Sequence, residues 1–424
     1  MVSSRWTVVA MSLGFAVVQL DVSVVNVAIR PIGSDLGAGV QALQWIVSAY
    51  TIAFAAFILS AGALGDRIGA RRVFVAGFLL FTSASVACGL APGIGPLIAA
   101  RAVQGVGAAV LVPCSLILLS HAYLDPEARS RAIGIWAAGA AAALSGGPLV
   151  GGVLIAALGW RAIFFINVPI GLAGVWLTLR YAHETPRAEG RGLDVPGQTL
   201  AVVGLAALAA GIIERSWTVW LALLAIGAFV AVEARTARPM LPLRLFRSRT
   251  FSAAAAIGFV LNIAFYGLIF VLSLFFQRAQ GRSALETGLA FAPMTGIVMA
   301  TNVWAGRLAR RVGARRVMVG AAVVAACGCA ALLGVGRTTA YAAMVVPLVL
   351  LGGAVGMIVP LMTSELLGSV DRSQSGIASG TLNTMRQAGS VVGVALLGSA
   401  GLHPSLAMSI GLLLGTGGLA LAIA

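Results

Sequence analysis

The chain has 424 residues, 60% of them hydrophobic and 10% charged, with a net charge of +15. A soluble globular domain carries about 25% charged residues, and a disordered chain is polar, so both classes are excluded. All 28 cations are Arg; without a Lys no P-loop can form, so this chain does not drive itself with a P-loop ATPase.

A span needs about 20 apolar residues to cross about 30 Å of hydrocarbon. Apolar runs predict spans at 7–29, 43–64, 73–91, 95–120, 132–157, 162–180, 197–213, 217–233, 251–276, 285–305, 317–335, 340–364, 376–400 and 404–424, fourteen in all. With the N-terminus inside, 20 Arg fall in inner segments and 6 in outer ones, while Arg101 and Arg386 fall within spans. That bias fits the positive-inside rule and predicts both termini in the cytoplasm of a cell whose inner membrane holds the protein. The Arg residues lie in short loops, which argues for topology and against nucleic-acid binding. Cys88, Cys114, Cys327 and Cys329 all lie in apolar runs, and the three His have no second ligand at metal spacing. No metal and no cofactor is expected.

One segment recurs. Gly62-Ala-Leu-Gly-Asp-Arg-Ile-Gly-Ala-Arg-Arg-Val73 returns as Gly306-Arg-Leu-Ala-Arg-Arg-Val-Gly-Ala-Arg-Arg-Val317, an offset of 244 residues and eight spans. A weaker echo links Gly147 and Gly151 in span 5 to Gly389 and Gly393 in span 13. The repeat predicts two six-helix bundles with two helices inserted between them, as in transporters built from parallel repeats. The boundaries are 1–180 for the first bundle, 181–250 for the inserted pair with its linkers, and 251–424 for the second bundle.

The segment Gly62-x-Leu-x-Asp66-Arg67-x-Gly69-x-Arg71-Arg72 resembles the signature loop between helices 2 and 3 of the major facilitator superfamily. In that family it stabilises one access state, and the cluster of Asp66 with Arg67, Arg71 and Arg72 suits charge-assisted bonds that break and reform. The second copy has Arg310 where the first has Asp66. Gly147-Pro148-Leu-Val-Gly151-Gly152 resembles the antiporter motif of the superfamily's exporters, with Ala143 where a Gly is usual. Leu20-Asp21-Val-Ser-Val-Val-Asn26 resembles the first-helix motif of the drug–proton antiporters with fourteen spans, and Trp160 to Gly171 and Asn383 to Gly389 are similar to the same branch. The resemblance implies an all-α membrane protein of the major facilitator fold. It further implies export of amphipathic drugs or antibiotics by alternating access, with protons and the lipid bilayer as partners and a monomer as the working unit.

Ionisable groups at membrane depth are costly, so they are functional candidates. Asp21 lies about 8 residues, roughly 12 Å, from the outer end of span 1. Arg101 opens Arg101-Ala-Val-Gln104-Gly105-x-Gly107, which resembles the superfamily's span 4 motif. Since spans 1 and 4 line the central cavity in this family, Asp21 and Arg101 are expected to pair there. Protonation of Asp21 would release Arg101 or a cationic drug; the other reading is a static buried ion pair. Arg386 lies near the midplane of span 13, and Asn26, Asn262 and Tyr266 offer polar contacts to the cavity. Phe265, Phe291, Met294 and Met299 are candidates for an adaptable apolar wall. Glu214, Glu233 and Glu365 read as interfacial charges. Two alternatives stay open: an uptake symporter on the same fold, and a non-transporting membrane sensor.

Overall fold

In hydrocarbon a backbone group without an internal partner costs several kcal/mol, so a chain of this composition folds into helices. A computed structural model describes residues 2–186, 194–236, 239–371 and 374–423. Arg187, Arg191, Arg238 and Arg372, counted above among the inner cations, lie outside the described residues.

The helices of the first half are α1 (Val2–Asp35), α2 (Val40–Ile68), α3 (Ala70–Gly89), α4 (Ile94–Ala122), α5 (Pro126–Leu158) and α6 (Ala162–Tyr181, with a turn at Ile166). Then come α7 (Val195–Ile213) and α8 (Thr218–Arg235). The last set is α9 (Arg249–Leu274), α10 (Ala284–Val312), α11 (Ala314–Leu332), α12 (Tyr341–Gly368), α13 (Ser375–Ala400) and α14 (Leu402–Ala420). All but α13 are long and apolar enough to cross a membrane among the described residues. Helix α13 corresponds to the span expected at 376–400; its N-terminal half is polar, with Ser379, Thr381, Asn383, Thr384, Arg386 and Gln387.

Two expectations are corrected by the helix ends. Helix α1 runs on through Pro31 to Asp35, so Asp21 lies 14 residues from the helix end rather than about 8. The segment expected as a loop after span 2 is no loop, because α2 continues to Ile68 and α3 begins at Ala70. The connection is the single residue Gly69, at φ +104°. Its repeat, Gly313 at φ +91°, joins α10 to α11 in the same way. Positive φ is the reason both positions hold Gly.

Within the first set, α1 packs on α5, α6 and α4, and α4 also packs on α2 and α3. Within the last set, α9 packs on α13, α14 and α12, while α12 also packs on α10 and α11. Helices α7 and α8 pack on each other. Helix α7 reaches both α2 and α13, so the pair leans against the seam between the sets. Helix α8 buries only 17% of its most apolar stretch, which leaves it at the periphery with Trp217 and Trp220 exposed.

Two antiparallel helix pairs form the seam, α2 with α13 and α5 with α10. Both are tight at the end away from the termini. Gln44 donates to the carbonyls of Val394 and Ala395 at 2.8 and 3.0 Å. Arg30 donates to the Gln277 carbonyl at 2.6 Å, and Ser273 to the carbonyl of Asn26. Gly152 lies against Leu285, where a Cβ would stand 2.8 Å from the Leu285 Cα, and Gly288 lies against the Pro148 carbonyl. At the termini end the sets part around a cavity of about 910 Å³.

Candidate functional site

Asp21 and Arg101 meet, as the sequence suggested. The Arg101 Nη1 is 2.5 Å from Asp21 Oδ2. The other carboxylate oxygen, Oδ1, accepts from Gln104 Nε2 at 2.9 Å and from Asn167 Nδ2 at 3.0 Å. Arg101 also donates from Nη1 to Gln104 Oε1 at 2.7 Å and from Nε to the Ile46 carbonyl at 3.2 Å. Its Cζ lies 4.1 Å from the centre of the Tyr50 ring, a cation–π contact. Ser85 closes the set: its Oγ accepts from Gln104 and Asn167 and donates to the Phe164 carbonyl at 2.9 Å.

This network joins α1, α2, α3, α4 and α6. Every member is buried, with Asp21 at 0% and Arg101 at 1% exposure. A buried charge pair is tolerable only when its remaining lone pairs and protons are also satisfied, and Gln104 and Asn167 do that here. The placement corrects the expectation that the pair faces the central cavity. Asp21 lies inside the first set of helices and lines neither cavity described here. The two atoms of the network left without a partner are the Tyr50 hydroxyl and Asn167 Oδ1.

A second, small cavity of about 30 Å³ lies in the seam between α1, α5, α9 and α10. Asn26, Pro148, Tyr266, Phe265, Phe291 and Met294 line it, together with Ser23 and Thr295. It holds about one water-sized volume, far below the 300 Å³ or more of a drug site, so it is a closed contact in this state. Asn26 donates to the Val22 carbonyl of its own helix at 3.0 Å. Two expected residues are elsewhere. Asn262 donates to the Gly258 carbonyl at 2.7 Å and is absent from the cavity wall. Met299 is 47% exposed and is absent from the cavity wall. Arg386 on α13 packs with its Cγ against Gly258, and its buried Nε has no hydrogen-bond partner.

The large cavity is lined by α2, α4, the linker after α8 and the start of α13. Gly62 and Asp66 face it, so this part of the signature segment forms its wall. The cationic part pairs with a residue that the sequence reading missed. Glu184, just beyond α6, accepts from the Arg71 backbone N–H at 3.0 Å and lies 3.6 Å from Arg72 Nε. Thr185 Oγ1 accepts from the Ala70 N–H at 2.9 Å, and Arg71 Nη2 donates to the Leu179 carbonyl at 2.6 Å. The tail of α6 therefore caps the N-terminus of α3, where free N–H groups attract an anion. Nothing in local sequence pairs positions 113 residues apart. Gln104 and Asn167 were more accessible to reasoning, since Gln104 is one helical turn from Arg101 and both are polar residues in apolar runs.

The cap makes the two copies of the repeat unequal. A Cβ on Gly69 would stand 2.6 Å from the Glu184 Cδ, whereas one on Gly313 meets nothing within 4 Å. Gly69→Ala is expected to lower thermal stability more than Gly313→Ala, although both pay about 1–3 kcal/mol of backbone strain. Glu184→Ala alone is expected to cost about 1 kcal/mol, as for a lost cap. Thermal unfolding of the purified variants checks the order; equal losses at Gly69 and Gly313 would remove the cap's role.

A polytopic helical protein with two similar helix sets, a cavity between them and a buried ion pair in one set is built as a secondary transporter. Residues 11–394 match the sequence profile of the Major Facilitator Superfamily, and the chain belongs to that family. The family is one of transporters, not enzymes. The chain is 36% identical over 407 residues to the Methylenomycin A resistance protein of Streptomyces coelicolor, covering 94% of this chain and 86% of that one. It is 36% identical over 403 residues to the Multidrug resistance protein Stp of Mycobacterium tuberculosis, covering 93% and 75%. In fold it is similar to a bacterial homolog of the human lysosomal transporter Spinster, with a TM-score of 0.70, 16% identity and coverage of 99% and 97%.

Proposed function

We propose that this protein exports amphipathic small molecules, drugs or antibiotics among them, across the cytoplasmic membrane of a prokaryote in exchange for protons. The observation that carries the reading is the pairing of one sealed end with one open end around a buried Asp–Arg pair. The termini end, which carries most of the Arg, is taken as cytoplasmic. The 910 Å³ cavity then opens to the cytoplasm, in the size range of a drug site, while Gly152 against Leu285 and Gln44 against α13 close the outer end. The names of the relatives support drug-like cargo.

In this reading residues 1–180 and 251–424 rock against each other as two bundles, with 181–250 as a brace across the seam. Asp21 is the proton carrier. When it takes a proton, the charge that holds Arg101, Gln104 and Asn167 is lost, and α1, α4 and α6 are free to shift. Helix α1 also contributes Ser23 and Asn26 to the seam cavity, so a shift at Asp21 reaches the contact between the bundles. Arg386, with an unpartnered nitrogen, and Tyr266 are the polar groups of the second bundle that a substrate meets as the seam opens. The Gly147–Gly152 face must separate from α10 at the same moment.

Everted vesicles test this directly. A transported drug is expected to collapse a preformed, inside-acid proton gradient in vesicles with the protein and not in vesicles without it. Drug binding with no proton movement would replace the exporter by the sensor reading. A susceptibility panel over chemically diverse antibiotics then identifies the cargo.

A further inference from the structure

The inserted helices hold an acidic pair that the transport reading does not use. Asp194 stands at the N-terminus of α7 and Glu233 in the last turn of α8, and they are 9% and 2% exposed. Each carboxylate has one oxygen engaged. Asp194 Oδ1 accepts from the Gly197 N–H at 2.9 Å, and Glu233 Oε2 accepts from the Leu241 N–H at 2.7 Å. The other two oxygens, Asp194 Oδ2 and Glu233 Oε1, are buried with no donor. They face one another: both lie within 2.6 Å of the point where a Cβ on Gly197 would stand.

Two buried carboxylate oxygens in this position repel when both groups are charged, and among the described residues neither carboxylate forms an ion pair. One proton between them removes the conflict, because a protonated carboxyl donates to its neighbour. A metal ion is a poor fit, since a hard cation takes six or more oxygen ligands and no cluster of three or more acidic, His or Cys side chains stands here among the described residues. The charged groups that line the same cavity are Asp66 of α2, His121 of α4, and Arg244 and Arg247 of the linker.

We propose that Asp194 and Glu233 bind one proton between them, as a second proton-binding site separate from Asp21. The site clasps the start of α7, the end of α8 and the linker at Leu241. It also lies next to the contact of α7 with α2, where Gln198 donates to the Ala56 carbonyl at 3.0 Å and accepts from Ser60 at 2.5 Å. Loss of the proton drives the two helix ends apart beside the helix that leads into Gly62 to Ile68. The site therefore reports cytoplasmic pH to the brace and, through α2, to the gate.

The test uses the purified full-length protein in lipid, without substrate, so it is independent of whether the protein exports drugs. Infrared difference spectra are recorded in D2O from about pH 5 to about pH 9, a range wide enough for a carboxyl shifted by burial. The expected result is a titrating carboxylic-acid carbonyl band that is lost in Glu233→Gln and in Asp194→Asn and kept in Asp21→Asn. Gln at 233 keeps the acceptor for Leu241, and Asn is as good a helix cap as Asp, so both variants should fold. In parallel, thermal stability of the unmodified protein should fall as pH rises, and that slope should flatten in Glu233→Gln. A spectrum that neither Glu233→Gln nor Asp194→Asn changes would overturn the proposal. So would a sodium-dependent rise in stability at constant pH that Glu233→Gln abolishes, since that marks a metal-cation site instead.

Discussion

Arg101→Ala is expected to lose both the fold and the export activity, the largest single effect in the molecule. The substitution leaves the Asp21 carboxylate buried at 0% exposure with two neutral amide donors and no cation. Removing one partner of a buried pair costs about 3–5 kcal/mol, a large part of the total stability of a domain. Asp21→Asn should be milder, because Arg101 keeps Gln104 Oε1, the Ile46 carbonyl and the Tyr50 ring. It should fold and reach the membrane yet show no drug-driven proton movement. The double variant Asp21→Asn with Arg101→Gln removes both charges and should recover most of the stability without recovering transport. Fluorescence-detected size-exclusion profiles and everted-vesicle assays separate these outcomes. Full coupled transport by Asp21→Asn would sink the assignment of Asp21 as the proton carrier.

Gly288→Leu is expected to prevent the outer end from closing. The Cβ would press on the Pro148 carbonyl, which is backbone and cannot swing aside. Overpacking of this kind costs about 1–3 kcal/mol, so the closed-outside state is depopulated by a factor of about 5 to 150. Gly152→Leu is expected to act in the same way, because its Cβ meets the Leu285 backbone at 2.8 Å. Gly134, earlier on α5 with nothing within 4 Å, serves as the control, and Gly134→Ala should be silent. In a cysteine-free background a Cys placed at Asn26 should label from outside the cell faster in Gly288→Leu than in the parent. Export should fall towards the level of cells without the protein. Unchanged labelling would mean that α5 and α10 do not form the outer seal.

These two features are linked. The ion pair holds the helices of the first bundle together from inside. The Gly-lined seams let the two bundles approach closely without a hydrophobic drive, which lipid does not supply. In the proposed mechanism a proton taken up at Asp21 acts on packing inside one bundle, and the bundle's movement is read at Gly152 and Gly288.

Much of this was legible in the chain itself. Apolar run lengths marked the helices, because a backbone in hydrocarbon must pair internally, and the Arg bias set an orientation. The recurrence of Gly62–Val73 at 306–317 marked two related halves, and structure returned it as two single-glycine turns at Gly69 and Gly313. Asp21 and Arg101 stood out because charge in an apolar run is costly. Only the tertiary structure decided which groups share a partner. It sealed Asp21 away from the cavity, gave Arg71 and Arg72 a distant partner in Glu184, turned Asn262 onto its own helix and brought Asp194 to Glu233. The reason is one of range: helix formation and topology follow from composition within a window of about 20 residues, whereas a hydrogen bond between helices depends on side-chain direction and inter-helix distance, which sequence spacing does not encode.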